Sequence, residues 1–167
     1  STLSSSSAAS DVYKRQTELA AQINSEYSPQ ASEKGLAFNL DIGGRLGVVK
    51  VSRLYLEEIL QNFITNAIRY TQKGSITLSI KKNKSGEITF KVIDTGIGIS
   101  KADIAKIFDK FYRAEDYRTR ETKGTGLGLY VSAKLAKKLG CKIEVESRLN
   151  HGSTFGFKLK EFKNNDK

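Results

Sequence analysis

Apolar residues recur at helical spacing in some stretches of this chain and alternate with polar residues in the stretches between. From Thr17 to about Ala31 the residues Leu19, Ala20, Ile23 and Tyr27 predict a helix, which Pro29 should bend or end. Leu36, Phe38 and Leu40 alternate as a strand does, Gly43 and Gly44 turn the chain, and Leu46 to Val51 reads as the returning partner strand. Ser52 is placed to cap a long helix reaching about Tyr70, with Leu56, Ile59, Leu60, Phe63, Ile64 and Ala67 as its apolar stripe. Two alternating strands follow, Ser75 to Lys82 and Glu87 to Asp94, joined at Ser85 and Gly86. Their inward sets are Ile76, Leu78 and Ile80 against Ile88, Phe90 and Val92.

Further on, the pattern predicts a short helix from Lys101 to Ile107 and a mobile polar loop from Arg113 to Lys123. A second long helix from about Gly126 to Leu139 uses Leu127, Val131, Leu135 and Leu139, and Gly140 is placed to end it. A last hairpin, Lys142 to Ser147 and Ser153 to Leu159, turns at Asn150 to Gly152. This order predicts helices packed on one face of a mostly antiparallel sheet.

Composition changes little in that picture. At 167 residues, 38% hydrophobic and 28% charged, the chain has the make-up of one folded domain. Residues 1–16 are Ser-rich and lack apolar periodicity, so they are expected to be disordered. Ser6 to Gln16 also resembles a translated sequencing adapter, which makes the leader non-native in this reading. The domain is expected over residues 17–162, followed by a tail at 163–167. The single Cys141 has no disulfide partner, so the chain reads as intracellular. No apolar run approaches the ~18 residues that cross a bilayer. The formal charge of +10 suits nucleic acid, an acidic membrane or a polyphosphate equally well. Lys81, Lys82, Lys84, Lys134, Lys137 and Lys138 read as solvated surface.

Three elements carry candidate chemistry. Asn62, Asn66, Arg69 and Tyr70 share one face of the first long helix, beside its apolar stripe, as polar residues on any surface helix also would. DTGIGIS follows a strand and sets the carboxylate of Asp94 beside Gly96 and Gly98, a pattern that also suits a plain tight turn. An EF-hand is excluded because those glycines offer no side-chain oxygen. KGTGLGL places Gly124, Gly126 and Gly128 at a helix N-terminus, where free N–H groups bind phosphate, with Lys123 adding charge. A dinucleotide fingerprint would follow a strand, and this one follows a polar loop.

Together, in this order, the elements resemble the histidine-kinase catalytic domain, of the superfamily shared with gyrase, heat-shock chaperones and mismatch-repair ATPases. LQNFITNAIRYT is similar to its asparagine box, DTGIGIS and KGTGLGLYVSAKLAKKLG to its glycine boxes, IFDKFYR to its phenylalanine box and HGSTFGF to its final glycine segment. The resemblance implies an α/β two-layer sandwich of the Bergerat type that binds ATP and magnesium. It implies that Asp94 accepts from the adenine amino group, in a turn of Gly96, Ile97 and Gly98, with Ile99 and Tyr70 as walls. Asn66 would give an oxygen to magnesium with Asn62 nearby. Arg69, Arg113 and Lys123 would neutralise phosphate, and Gly124, Thr125, Gly126, Leu127, Gly128 and Leu129 would cradle it. Phe108 and Phe111 would anchor a lid, and Thr154 would lie near the base.

The implied activity is phosphoryl transfer from ATP to a histidine on a dimerisation domain absent from this chain. The parent would be a homodimeric, membrane-anchored sensor kinase with this domain in the cytoplasm, signalling to a response regulator. His151, the sole histidine, reads as a surface turn residue. Hydrolytic relatives carry a glutamate base where this chain has Asn62, so hydrolysis is expected to be poor. The rival readings are an anti-sigma-type serine kinase and a nucleotide-binding regulatory module without chemistry; binding to nucleic acid is not expected.

Overall fold

The computed structural model describes residues 13–112 and 128–163. A first strand β1, Tyr13–Arg15, leads into α1, Gln16–Glu33. Two strands follow, β2 at Ala37–Ile42 and β3 at Val48–Lys50, then the long helix α2 at Arg53–Tyr70. β4, Ser75–Lys82, and β5, Glu87–Asp94, precede the short α3 at Lys101–Ile104. The chain closes through α4, Gly128–Leu139, β6, Glu144–Ser147, and β7, Ser153–Lys160.

Five strands form one sheet in the order β2-β4-β5-β7-β6, antiparallel except for the parallel pair β2–β4. Parallel neighbours need a crossover, and α2 lies in it. The expected pairing of Leu46–Val51 with the first strand is therefore corrected. β3 instead pairs antiparallel with β1, as a separate two-stranded sheet. Arg45 at φ 47 and Gly47 at φ 75 turn the chain away from β2 before β3 begins. The leader boundary also moves: residues 13–16 form β1 and the start of α1, and Gln16 is fully buried. Residues 1–12 and 164–167 lie outside the described residues.

α1 runs through Pro29 to Glu33 rather than ending near Ala31. Pro29 is on the exposed side, where the carbonyl deprived of its helical partner is open to water, while Tyr27 and Ala31 hold the opposite face in the core. α2 starts as expected: the Ser52 hydroxyl accepts from the Tyr55 amide at 3.3 Å. Its buried stripe is Leu56, Ile59, Leu60, Phe63, Ile64 and Ala67. This stripe lies on the sheet, where the Phe63 ring meets Phe155 at 5.4 Å and Phe90 stacks on Phe157 at 5.0 Å. The α3 helix is shorter than expected. Beyond Ile104 the chain continues in tight turns, with Lys106 and Asp109 donating to the carbonyls of Asp103 and Lys106. Where α4 meets α2, the buried residues are the small Ser132 and Ala136 rather than the leucines, which allows the two helices to approach closely.

Register fixes the sheet's two faces. Leu78 opposes Val92 and Ile80 opposes Phe90, as the alternation predicts. Ile76 opposes Asp94, so the row Ile88, Phe90, Val92 ends with a carboxylate on the helix-covered face. The lysines of the hairpin are less free than the sequence suggested: Lys81 pairs with Asp41 at 3.0 Å and Lys82 with the largely buried Glu161 at 3.1 Å.

Candidate nucleotide-binding site

Asp94 stands where α2 ends against the sheet. Its Oδ1 accepts from the amides of Gly96 at 2.9 Å and Ser153 at 3.2 Å. Its Oδ2 accepts no hydrogen bond from the described residues and is left for a donor from outside the fold. Burial pushes the Asp94 carboxyl up to about 6, although both backbone donors pull the other way. Removing a charge from water costs more here than two N–H groups return.

The turn after Asp94 is packed too closely for side chains. A Cβ on Gly96 would overlap the Tyr70 carbonyl oxygen and come within 2.8 Å of the Thr71 hydroxyl. Gly98, at φ 71, lies with its Cα against the Arg148 backbone, and Gly152, at φ 85, lies likewise against the Asp94 carbonyl. Ile97 donates to the Tyr70 carbonyl at 3.2 Å and accepts from Asn150 at 2.7 Å. Ile99 donates to the Ser147 hydroxyl at 2.8 Å, and that hydroxyl reaches Ser153 at 2.7 Å. Three elements distant in sequence thus hold one turn.

On α2 the polar face is already organised. Asn62 donates to the Gly128 carbonyl at 3.2 Å and the Ser132 hydroxyl at 3.0 Å, tying α2 to α4. Asn66 accepts through Oδ1 from Arg69 at 2.9 Å, and the Arg69 guanidinium lies 6.0 Å from the Tyr70 ring centroid. Lys34, which sequence reasoning missed, donates to the last carbonyls of α2, those of Ile68 at 2.7 Å and Arg69 at 3.0 Å. A cation there complements the helix dipole. Desolvation, and then the nearby Arg69 charge, lower the Lys34 pKa.

The structure separates some of the expected residues. Thr154 opposes Ile93, so it faces the side of the sheet away from the helices. Ser153 takes the place beside Asp94 instead, a position the two-residue spacing Ser153, Phe155, Phe157, Leu159 would have found. Phe108 packs against the core, whereas Phe111, at φ 64, is 62% exposed and is not anchored in it. His151 is exposed in the β6–β7 turn, as expected. Gly128 and Leu129 lie on α4 beside Asn62; Arg113, Lys123, Gly124, Thr125, Gly126 and Leu127 lie outside the described residues.

Among the described residues no group of three or more His, Cys, Asp or Glu side chains could hold a metal. One neutral amide oxygen, that of Asn66, fits magnesium only where phosphates supply most of the ligands, which is how this ion commonly binds.

This sheet, with a partly buried carboxylate facing a glycine turn and a two-asparagine helix, has the layout of an ATPase class. Residues 52–163 match the family described as "Histidine kinase-, DNA gyrase B-, and HSP90-like ATPase", and the chain belongs to it. Its relatives within that family are sensor kinases. It is 40% identical over 128 residues to the aerobic respiration control sensor protein ArcB of Escherichia coli, covering 75% of this chain and 16% of that protein. It is 35% identical over 136 residues to the sensor protein SrrB of Staphylococcus aureus, covering 80% of this chain and 23% of that protein. The chain therefore spans less than a quarter of the length of these relatives. Among solved structures, the catalytic domain of histidine kinase ThkA aligns with TM-score 0.75 and 25% identity over 89% of this chain and 96% of that one. Full-length ShkA in complex with AMPPNP aligns with TM-score 0.78 and 28% identity over 88% of this chain and 30% of that one. Among the described residues no helix is long and apolar enough to cross a membrane.

The raised pKa of Asp94 carries a pH expectation. A carboxyl whose folded pKa lies above its unfolded value of 3.8 costs stability once ionised. The penalty is absent below about pH 4, grows as pH rises and is complete above about pH 6. Asp94→Asn removes it, so between pH 4 and 7 thermal melts of the variant should fall less than those of the unaltered chain. Parallel melting curves over this range would contradict the assignment.

Proposed function

We propose that this domain binds ATP between α2, α4 and the Asp94 turn and passes the γ-phosphoryl group to a histidine on the dimerisation domain of a homodimeric parent sensor kinase. The free Oδ2 of Asp94 carries the reading. An acceptor held in place by two backbone amides fits the amino group of adenine and meets only a carbonyl in guanine. Tyr70 and Ile99 flank it as half-buried apolar surface. Arg69 is held ready by Asn66 and would transfer its contact to phosphate, which frees the Asn66 oxygen for magnesium. Magnesium, when bound, neutralises phosphate charge; Asn66 and the phosphates would hold it. Arg113 and Lys123 would add charge, and Gly124 to Leu129 would cradle the phosphates.

Catalysis here is positioning and charge stabilisation. Asn62 favours transfer over hydrolysis, because an amide committed to Gly128 and Ser132 takes no proton from water. In this reading the parent is a sensor anchored in the membrane, with this domain on the cytoplasmic side and a response regulator downstream; the similarity to the sensor proteins ArcB and SrrB supports the sensor role.

Isotope transfer tests the reading. Incubated with γ-labelled ATP alone, the chain should stay unlabelled, since its sole histidine, the exposed His151, is in the β6–β7 turn beside the Asp94 end of the site. With a dimerisation domain from a related sensor kinase added, label should appear on that domain and be indifferent to His151→Ala. Acid-labile label on this chain, lost in that variant, would contradict the proposal.

A further inference from the structure

Thr71 ends α2 at its C-cap, immediately after Tyr70, and is completely buried. Its Oγ1 has no hydrogen-bond partner among the described residues. Buried hydroxyls are nearly always paired, and an unpaired one reduces stability without return inside the fold. A valine of the same shape would avoid that cost. The hydroxyl's position is informative: Thr71 Oγ1 and Asp94 Oδ1 lie 2.8 Å and 3.0 Å from the single point that a side chain on Gly96 would occupy. The unpaired hydroxyl and the base-reading carboxylate therefore border the same glycine.

We infer that Thr71 is a second base-reading residue, whose hydroxyl donates, directly or through one bound water, to the adenine ring nitrogen next to the amino group that Asp94 accepts from. This rests on the adenine reading of Asp94 given above. Adenine offers a donor and an acceptor side by side on this edge, the amino group and N1. A carboxylate answers only the first, and a hydroxyl can answer the second. Asp94 gives the site its preference for an amino group, and Thr71 adds affinity for the neighbouring acceptor. Protonation does not alter the hydroxyl's part, because it keeps its proton at every accessible pH.

The test uses the whole chain, Thr71→Val, Thr71→Ser and Asp94→Asn, with ATP and 1-deaza-ATP, which lacks that ring nitrogen, measured by calorimetry alongside melts of the nucleotide-free protein. Thr71→Val should melt at the same temperature or higher and yet bind ATP about fivefold or more weakly, the loss expected for one hydrogen bond. It should bind 1-deaza-ATP as the unaltered chain does, so that the two nucleotides become equal in this variant alone. Thr71→Ser, which keeps the hydroxyl, should retain the preference for ATP. Unchanged ATP affinity in Thr71→Val, equal weakening for both nucleotides, or a fall in melting temperature matching the fall in affinity would overturn the inference. Asp94→Asn separates this failure from a broader one: if it weakens ATP while Thr71→Val does not, only the role of Thr71 falls. If neither variant weakens ATP, the adenine site itself is elsewhere.

Discussion

Asn66→Ala should lower phosphoryl transfer to an added dimerisation domain by about 100-fold or more while leaving the affinity for metal-free ADP within about threefold. The expectation follows from what Oδ1 of Asn66 does. It holds the Arg69 guanidinium at 2.9 Å, and in the proposed nucleotide complex it would be the protein oxygen offered to magnesium. Removing a positioned group that acts on developing charge costs about 2.7–4 kcal/mol in comparable enzymes. Base recognition is untouched, because Asp94, Gly96 and Thr71 lie beyond the end of α2. Asn66→Asp, whose carboxylate would keep both contacts, should retain more activity than alanine. Equal losses of transfer and of metal-free ADP binding in Asn66→Ala would point to a purely structural asparagine.

Gly98→Ala should be among the most damaging single-methyl changes in the chain. The residue is at φ 71, which a side chain adopts at a cost of about 1–2 kcal/mol. The added carbon would also fall on the Arg148 carbonyl, a backbone atom with no rotamer to yield. The turn must then separate from the β6–β7 hairpin, breaking the contacts of Ile97 with Asn150 and Ile99 with Ser147. A combined loss of ~3 kcal/mol would lower the melting temperature by roughly 10 °C in a domain of this size. ATP binding should weaken even in the protein that remains folded, because the displaced turn carries Gly96, one of the two amides that brace Asp94. Gly86→Ala is the control. It has φ 85 but nothing within 4 Å of the added carbon, so it should cost only the backbone strain and leave nucleotide affinity intact. Similar behaviour of the two variants would show that the close approach to Arg148 is not what matters.

Most of the elements could be read from the chain because each depends on local spacing. The stripe from Leu56 to Ala67, the Ser52 cap and the alternation through β4 and β5 are properties of neighbours within one or two turns, and burial follows that spacing. Asp94 too was visible, as the next inward position after Val92 occupied by a carboxylate. The same count carried back from Phe155 reaches Ser153 on the helix-covered face, whereas Thr154, one residue on, faces the other side of the sheet.

What the sequence by itself determined is therefore the set of elements, the order of the motifs and the identity of the groups that could do chemistry. The tertiary structure alone decided which of those groups meet. Local spacing carries no information on whether β3 pairs with β2 or with β1, on the commitment of Asn62 to Gly128, on Lys34 reaching the end of α2, or on Thr71 lying unpaired beside Gly96. These contacts join residues far apart in the chain. Their energies depend on closing long loops and excluding water from the place where α2, the Asp94 turn and the last hairpin converge.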